Sequence, residues 1–182
     1  MELYIVLGVV IVLAAIIIAI YNAFIILRNK VDEAYATMDV YLKKRYDLIP
    51  NLVETVKGYA AHETETFDKV IEARNKAQGD KNLADRERDE NALAGTLKSL
   101  FALAESYPDL KADRGFVQLQ TELETVEGDI AQSRKYYNAV VKSFNTKVEV
   151  FPSNLIALIM KFGKYEYFMA EESEREAVKV QF

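Results

Sequence analysis

The stretch Lys44-Arg45-Tyr46-Asp47-Leu48-Ile49-Pro50-Asn51-Leu52-Val53-Glu54-Thr55-Val56-Lys57-Gly58-Tyr59 decides how this chain is read. It keeps helical spacing on both sides of one proline. Pro50 removes a backbone donor and crowds the preceding turn, and it biases Ile49 away from the helical region. No glycine or asparagine is placed there to cap a helix end. The pattern therefore predicts a kink or a one-turn break between two helical halves rather than a chain reversal. Two readings of the proline stand side by side: an interruption in a core helix, or a functional hinge.

Working back toward the amino terminus, Leu3 to Leu27 carries no charge, and Asn22 is its only clearly polar member. As a helix this run spans about 37 Å, enough for a ~30 Å hydrocarbon core with some tilt. A cleaved signal peptide calls for a basic start and a small-residue cleavage site, whereas this chain begins Met1-Glu2. A buried helix is disfavoured by length and by apolarity on every face. Residues 1–28 are read as a single membrane anchor and 29–182 as one helical domain. Arg28, Lys30, Lys43, Lys44 and Arg45 all follow the span, which places the amino terminus outside and the domain in the cytoplasm.

The rest of the chain reads as helix. Val31, Tyr35, Met38, Leu42 and Ile49 form a stripe on which Arg45 also falls. A charge on a packing face must pair or snorkel; a structural ion pair with a nearby carboxylate such as Glu54 or Asp47 is favoured over a ligand site. Leu52, Val56, Tyr59, Phe67 and Val70 mark a second helix, starting after Pro50 and stopping near Gly79-Asp80. Lys81 to Asn91 reads as a short, exposed, charged connection running into a helix start. Leu93 to Ser106 is a third helix, terminated by Tyr107-Pro108-Asp109.

The strongest periodic signal follows. Phe116, Leu123, Ile130, Tyr137, Phe144 and Phe151 recur every seven residues, with Leu119, Val126 and Val140 between them. Five heptads of this kind predict a long helix in a coiled-coil-like bundle, ended by Pro152. Such an aromatic ladder reads as core, not as a cofactor box. Leu155 to Phe162 is apolar but too short to span a bilayer. It can close the bundle, lie on the membrane surface, or meet another subunit. Phe151, Leu155, Ile159, Phe162, Tyr165, Tyr167 and Phe168 are the candidate self-association residues. Gly163-Lys164 is expected to break the short helix. The tail holds the acidic group Glu171, Glu172, Glu174 and Glu176 and ends in an alternating segment that could pair as an edge strand.

Composition narrows the function. A formal charge of −5 argues against a nucleic-acid binder. No cysteine occurs, which removes disulfides and thiol chemistry. His62-Glu63-Thr64-Glu65 has the first half of a zinc-protease pattern, but Thr66 stands where the second histidine belongs, and His62 is the only histidine. It is read as an exposed helix-surface residue. No phosphate loop and no nucleophile elbow is present, so no catalytic residue, metal, cofactor or small-molecule substrate is expected.

Several ordered blocks carry a family resemblance. They are Asn29-Lys30-Val31-Asp32-Glu33-Ala34, Leu42-Lys43-Lys44-Arg45-Tyr46-Asp47-Leu48-Ile49-Pro50-Asn51-Leu52-Val53, and Val56-Lys57-Gly58-Tyr59-Ala60 with His62-Glu63. Ala73-Arg74, Tyr107-Pro108-Asp109-Leu110-Lys111-Ala112, Phe116 with Leu119-Gln120, Tyr137-Asn138, Val141, Phe144-Asn145 and Phe151-Pro152 follow. Over nearly its whole length the chain closely resembles the LemA family of bacterial membrane-anchored helical proteins. Ala36-Thr37-Met38 and Val126-Glu127-Gly128 depart from the usual family pattern. The resemblance implies an all-α fold, an N-terminal transmembrane helix continuing into an antiparallel bundle, at the bacterial inner membrane. It marks Arg45, Asp47, Pro50, Asn51, Gly58 and Tyr59 as motif and hinge residues, and it implies no reaction.

Three functions are weighed. The first is a non-catalytic scaffold that forms homo-oligomers in the plane of the lipid bilayer. The second is an adaptor for a membrane protein partner, such as a metalloprotease or signalling protein. The third, more remote, is a hydrolase with an unrecognised site.

Overall fold

The computed structural model describes residues 1–79 and 82–168. Six helices and no strand occur among the described residues: α1 (Glu2–Lys57), α2 (Thr64–Ala77), α3 (Leu83–Ala104), α4 (Pro108–Lys111), α5 (Arg114–Glu149) and α6 (Ser153–Met160). The fold is all-α. Asp80 and Lys81 lie outside the described residues, as do the acidic tail and the alternating end at 169–182.

Three sequence expectations are corrected. First, α1 runs unbroken for 56 residues with Pro50 inside it. The chain turns instead at Gly58 to Glu63, so Leu52, Val56 and Tyr59 do not belong to α2. Losing one backbone donor does not stop a helix whose flanking Ile49, Leu52 and Val53 are all buried. Second, the charged stretch from Leu83 to Asn91 is the start of α3, not a connection. The side chain of Asn82 caps it by accepting from the Asp85 N–H at 2.9 Å, and Asp85 sits in the first turn. Third, His62 lies in the turn before α2 rather than on a helix, though it is exposed.

The described chain divides into two compact units, residues 1–37 with 133–167, and 38–132 with 168. In the first unit, Phe24 of α1 meets Phe144 of α5, and Tyr35 meets Tyr137. Residue numbers rise along one helix as they fall along the other, so these segments are antiparallel. The heptad positions Tyr137 and Phe144 are buried here as expected, and Ser133, a polar residue that interrupts the apolar seam, is buried as well. Phe151 is not: it lies beyond the end of α5 and is 78% exposed.

In the second unit, α2 packs on α3. Tyr46 reaches the end of α2 at Ala77, and the Lys57 ammonium stands 5.8 Å from the Phe67 ring, which fixes α1 and α2 as an antiparallel pair. Phe116, Leu123, Val126 and Ile130 of α5 are buried, in the predicted seam. Asp113 caps α5, accepting from the Phe116 N–H at 2.8 Å. Of the N-terminal run, Met1 to Ala19 is exposed throughout, and the helix is long and apolar enough to cross a membrane.

Candidate functional site

Two features stand apart from ordinary helix packing, one in each unit. The first is an ion network around Arg45. This residue falls on the packing stripe of α1 and is 1% exposed. Its Nη1 donates to Glu127 Oε1 at 2.8 Å and Oε2 at 3.1 Å, and its Nη2 donates to Glu90. Glu90 is itself fully buried and also accepts from the Tyr46 hydroxyl, whereas Glu127 is partly exposed. A desolvated guanidinium thus faces a desolvated carboxylate, with a second carboxylate reaching in from the edge. Arg86 pairs with Asp39 alongside. Burial raises the Tyr46 hydroxyl above its usual pKa, while the charges of Arg86 and Arg45 pull it the other way.

The expected partners of Arg45 are therefore corrected. Asp47 pairs with Lys43 at 3.0 Å, and Glu54 with Lys57 at 3.1 Å, both at the surface. Residues two apart on a helix do not face each other, and a spacing of nine puts Glu54 on the opposite side from Arg45. The true partners come from α3 and α5, distant in sequence. Nothing in a helical pattern marks Glu90 as buried, apart from its place three residues before Leu93.

The proline is tied into the same unit. Without an N–H at Pro50, the Tyr46 carbonyl has no intrahelical donor. The Arg74 Nε of α2 fills that gap at 3.1 Å, and the Tyr46 hydroxyl lies 3.1 Å from the Ala77 carbonyl at the end of α2. Tyr46 thus fastens α1 to α2 through its main-chain carbonyl. Asn51 is exposed, and its carbonyl accepts from the Thr55 hydroxyl at 2.8 Å. Gly58 sits in the turn after α1 without a positive φ. Tyr59 donates to Asp113 at 3.0 Å, which raises the tyrosine's pKa; the Phe116 N–H and Tyr59 together lower that of the cap aspartate.

The second feature is the apolar end of the first unit. α6 holds Ser153, Ile156 and Ala157 inward, while Leu155, Leu158 and Ile159 stand out in solvent. Its end comes at Lys161, which takes the left-handed conformation with φ 57°, two residues before the expected break at Gly163. The Phe162 N–H then bonds the Ala157 carbonyl at 2.9 Å and the Lys161 N–H bonds Leu158 at 3.3 Å, which is a Schellman closure. That turn lays Phe162 on Phe24, stacked at 4.7 Å between ring centres.

The candidate contact residues thus divide. Phe151, Leu155, Ile159 and Tyr167 are exposed. Phe162 and Tyr165 are half-buried, Tyr165 against Phe144 at 5.0 Å and through two 2.9 Å bonds between its backbone and the Asn145 side chain. Phe168 is buried. Leu158, at 80% exposure the barest of the α6 residues, was missing from the sequence-based set. The stripe Phe151, Leu155, Leu158, with its i, i+4, i+7 spacing, would have found it.

Among the described residues, no group of three or more His, Cys, Asp or Glu side chains is placed to hold a metal ion. A cleft beside Lys69, Ala73, Asp89 and Thr96 measures about 160 Å³, and one beside Leu27, Tyr136 and Val140 about 200 Å³. Both fall below the roughly 300 Å³ of small-molecule sites.

Comparison with known proteins adds the following. The model of the LemA family matches residues 34–182. Protein LemA of Metamycoplasma hominis is 28% identical over 152 residues, covering 81% of this chain and 68% of that protein. The magnetosome protein MamQ 2 of Paramagnetospirillum magneticum and the magnetosome protein MamQ of Magnetospirillum gryphiswaldense are each 26% identical over 174 residues. Those matches cover 81% of this chain and 64% of each magnetosome protein, so the chain spans less than two thirds of their length.

Proposed function

Because the chain belongs to the LemA family over residues 34–182, we propose that it is a membrane-anchored, non-catalytic scaffold that self-associates in the plane of the bilayer. The observation that carries this reading is α1. One unbroken helix holds the exposed apolar run at its start and, further along within the same unit, the buried Phe24 and Val31. A flexible linker would leave a tethered domain free to search for partners; a continuous helix transmits position and orientation instead. Arg28 and Lys30 directly follow the apolar run, which supports an outside amino terminus and a cytoplasmic domain. The membrane is that of a bacterium, in keeping with the relatives' sources.

The test is the mass of the full chain in lipid nanodiscs and in mild detergent, beside a version starting at Arg28. The expected result is one discrete assembly that survives dilution and depends on the anchor. A monomer under every condition overturns the scaffold and favours an adaptor, to be pursued by crosslinking to membrane proteins in native membranes.

A further inference from the structure

The α6 helix poses a question that bundle packing does not answer. It is apolar on both faces and carries no charge in its eight residues. One face is buried by the first unit, while Phe151, Leu155, Leu158 and Ile159 stand 78%, 52%, 80% and 69% exposed on the other. A helix apolar all round belongs in a core or in lipid.

Its position says which. A hydrocarbon core of ~30 Å takes about 20 residues of helix, so a span entered at Leu3 leaves the core near Asn22. Tyr4 and Tyr21 lie about 25 Å apart along α1, the spacing of two interfacial aromatic rings. Phe162 touches Tyr21 at 6.1 Å and stacks on Phe24, so the C-terminal end of α6 is tied to α1 at the level where the apolar run leaves the bilayer. The side chains of α1 agree. Ile16 to Ile18 are bare, Ile20 is half-covered and Phe24 has no exposure, so the protein covers one face of the last part of the uncharged run, while Tyr21 and Ile26 on the other stay exposed.

Charges complete the pattern. Arg28, Lys30 and Lys161 are exposed, and the Lys147 ammonium stands 5.8 Å from the Phe24 ring. The carboxylate of Glu149 is paired with Lys164. Cations beside an apolar helix suit a surface of anionic headgroups.

We propose that α6 is a second membrane contact, lying in the interfacial layer with Phe151, Leu155, Leu158 and Ile159 immersed among headgroups and upper acyl chains. The occupant of this face is lipid, not another copy of the chain. The inference rests on reading the start of α1 as a membrane span. It assigns four residues to the bilayer and leaves contacts between copies to other surfaces. Two attachments, one spanning and one lying flat, hold the first unit against rotation about the α1 axis.

The absence of native cysteine makes the test direct. The full chain carrying Leu158→Cys, or Ile159→Cys in parallel, is labelled with an environment-sensitive fluorophore. It is reconstituted at few copies per vesicle in phosphatidylethanolamine and phosphatidylglycerol. Nitroxides are placed on the headgroup or deep in the acyl chain. Val12→Cys reports the middle of the span, and Ser99→Cys, exposed on α3, reports water. The expected result is blue-shifted emission at Leu158 and Ile159, quenched severalfold more by the shallow nitroxide than by the deep one. Val12 shows the reverse order and Ser99 shows neither effect. If Val12 is quenched and both α6 positions behave like Ser99, the inference is overturned and the anchor stands. Quenching at none of them overturns the anchor and the inference together. A blue shift at α6 that lipid nitroxides do not quench, and that is lost when the protein is diluted into more lipid, assigns the face to a second copy and also overturns it.

Discussion

Phe24 and Arg45 are both fully buried on α1, and the surroundings built for them are opposite in kind. Phe24 sits among rings, stacked on Phe162 and edge-on to Phe144, both far away in sequence. Arg45 sits between two carboxylates supplied by α3 and α5. The aromatic unit tolerates imprecision, because dispersion and area burial are non-directional. The ionic unit does not, because an uncompensated buried charge costs far more than a pair returns. The same helix thus contributes to one unit held by shape and to another held by exact pairing.

The comparison can be broken at Arg45 first. Arg45→Ala leaves Glu90 buried without its cation and should destabilise the second unit by about 3–5 kcal/mol. Replacing both partners with apolar residues, Arg45→Met with Glu90→Leu, should recover most of that loss. Thermal and urea melts followed by circular dichroism measure both. A loss below about 1 kcal/mol for Arg45→Ala would place this pair with ordinary surface bridges.

A smaller effect sharpens the role of the proline. Arg74→Ala removes the donor to the Tyr46 carbonyl and should cost about 1–3 kcal/mol. Pro50→Ala restores an intrahelical donor, so the cost of Arg74→Ala should shrink in that background. A double-mutant cycle reads this coupling directly, and strict additivity of the two changes would refute it.

In the aromatic unit, the Tyr137 hydroxyl donates to the Glu166 carbonyl at 3.1 Å, so Tyr137→Phe should cost about 1 kcal/mol at neutral pH. Burial, with Tyr35 and Tyr165 adding to it, pushes the Tyr137 pKa to about 12. The folded chain therefore holds this proton where the unfolded chain, with a pKa near 10, has released it. Its stabilisation is complete below pH ~10 and is lost as pH rises toward ~12. Urea midpoints across that window should fall less steeply in Tyr137→Phe than in the parent.

The smallest effect has the opposite sign. Lys161 pays for a left-handed backbone that glycine adopts freely, so Lys161→Gly should stabilise the α6 end by a few tenths to about 1 kcal/mol. Melts of the reconstituted chain, or amide exchange at Phe162, would show it; slower exchange is expected.

Much of the fold was legible in the chain. The uncharged run announced a helix able to span a membrane, and the seven-residue recurrence placed Phe116, Leu123, Ile130, Tyr137 and Phe144 in the core, where they are. Arg45 was legible as a charge on a packing face. Its partners were not, because Glu90 lies in a stretch whose dense charge looks like solvent-exposed chain. Arg74 was quoted in a motif, but its bond to the Tyr46 carbonyl depends on how α2 folds back. That the chain does not reverse at Pro50 was legible; that α1 continues through it without a break was not, because local propensity opposed it and buried neighbours on both sides outweighed one lost hydrogen bond.

What the sequence determined by itself is periodic: helix content, the apolar run, the heptad seam and the family, because each follows from spacing along one strand of chain. What only the tertiary structure decided is who meets whom. Glu90 and Glu127 converge on Arg45, Arg74 fills the gap left by Pro50, and a left-handed Lys161 lays Phe162 on Phe24. Those contacts join residues dozens of positions apart. Their free energy depends on desolvation and on distances that exist only once the helices have packed.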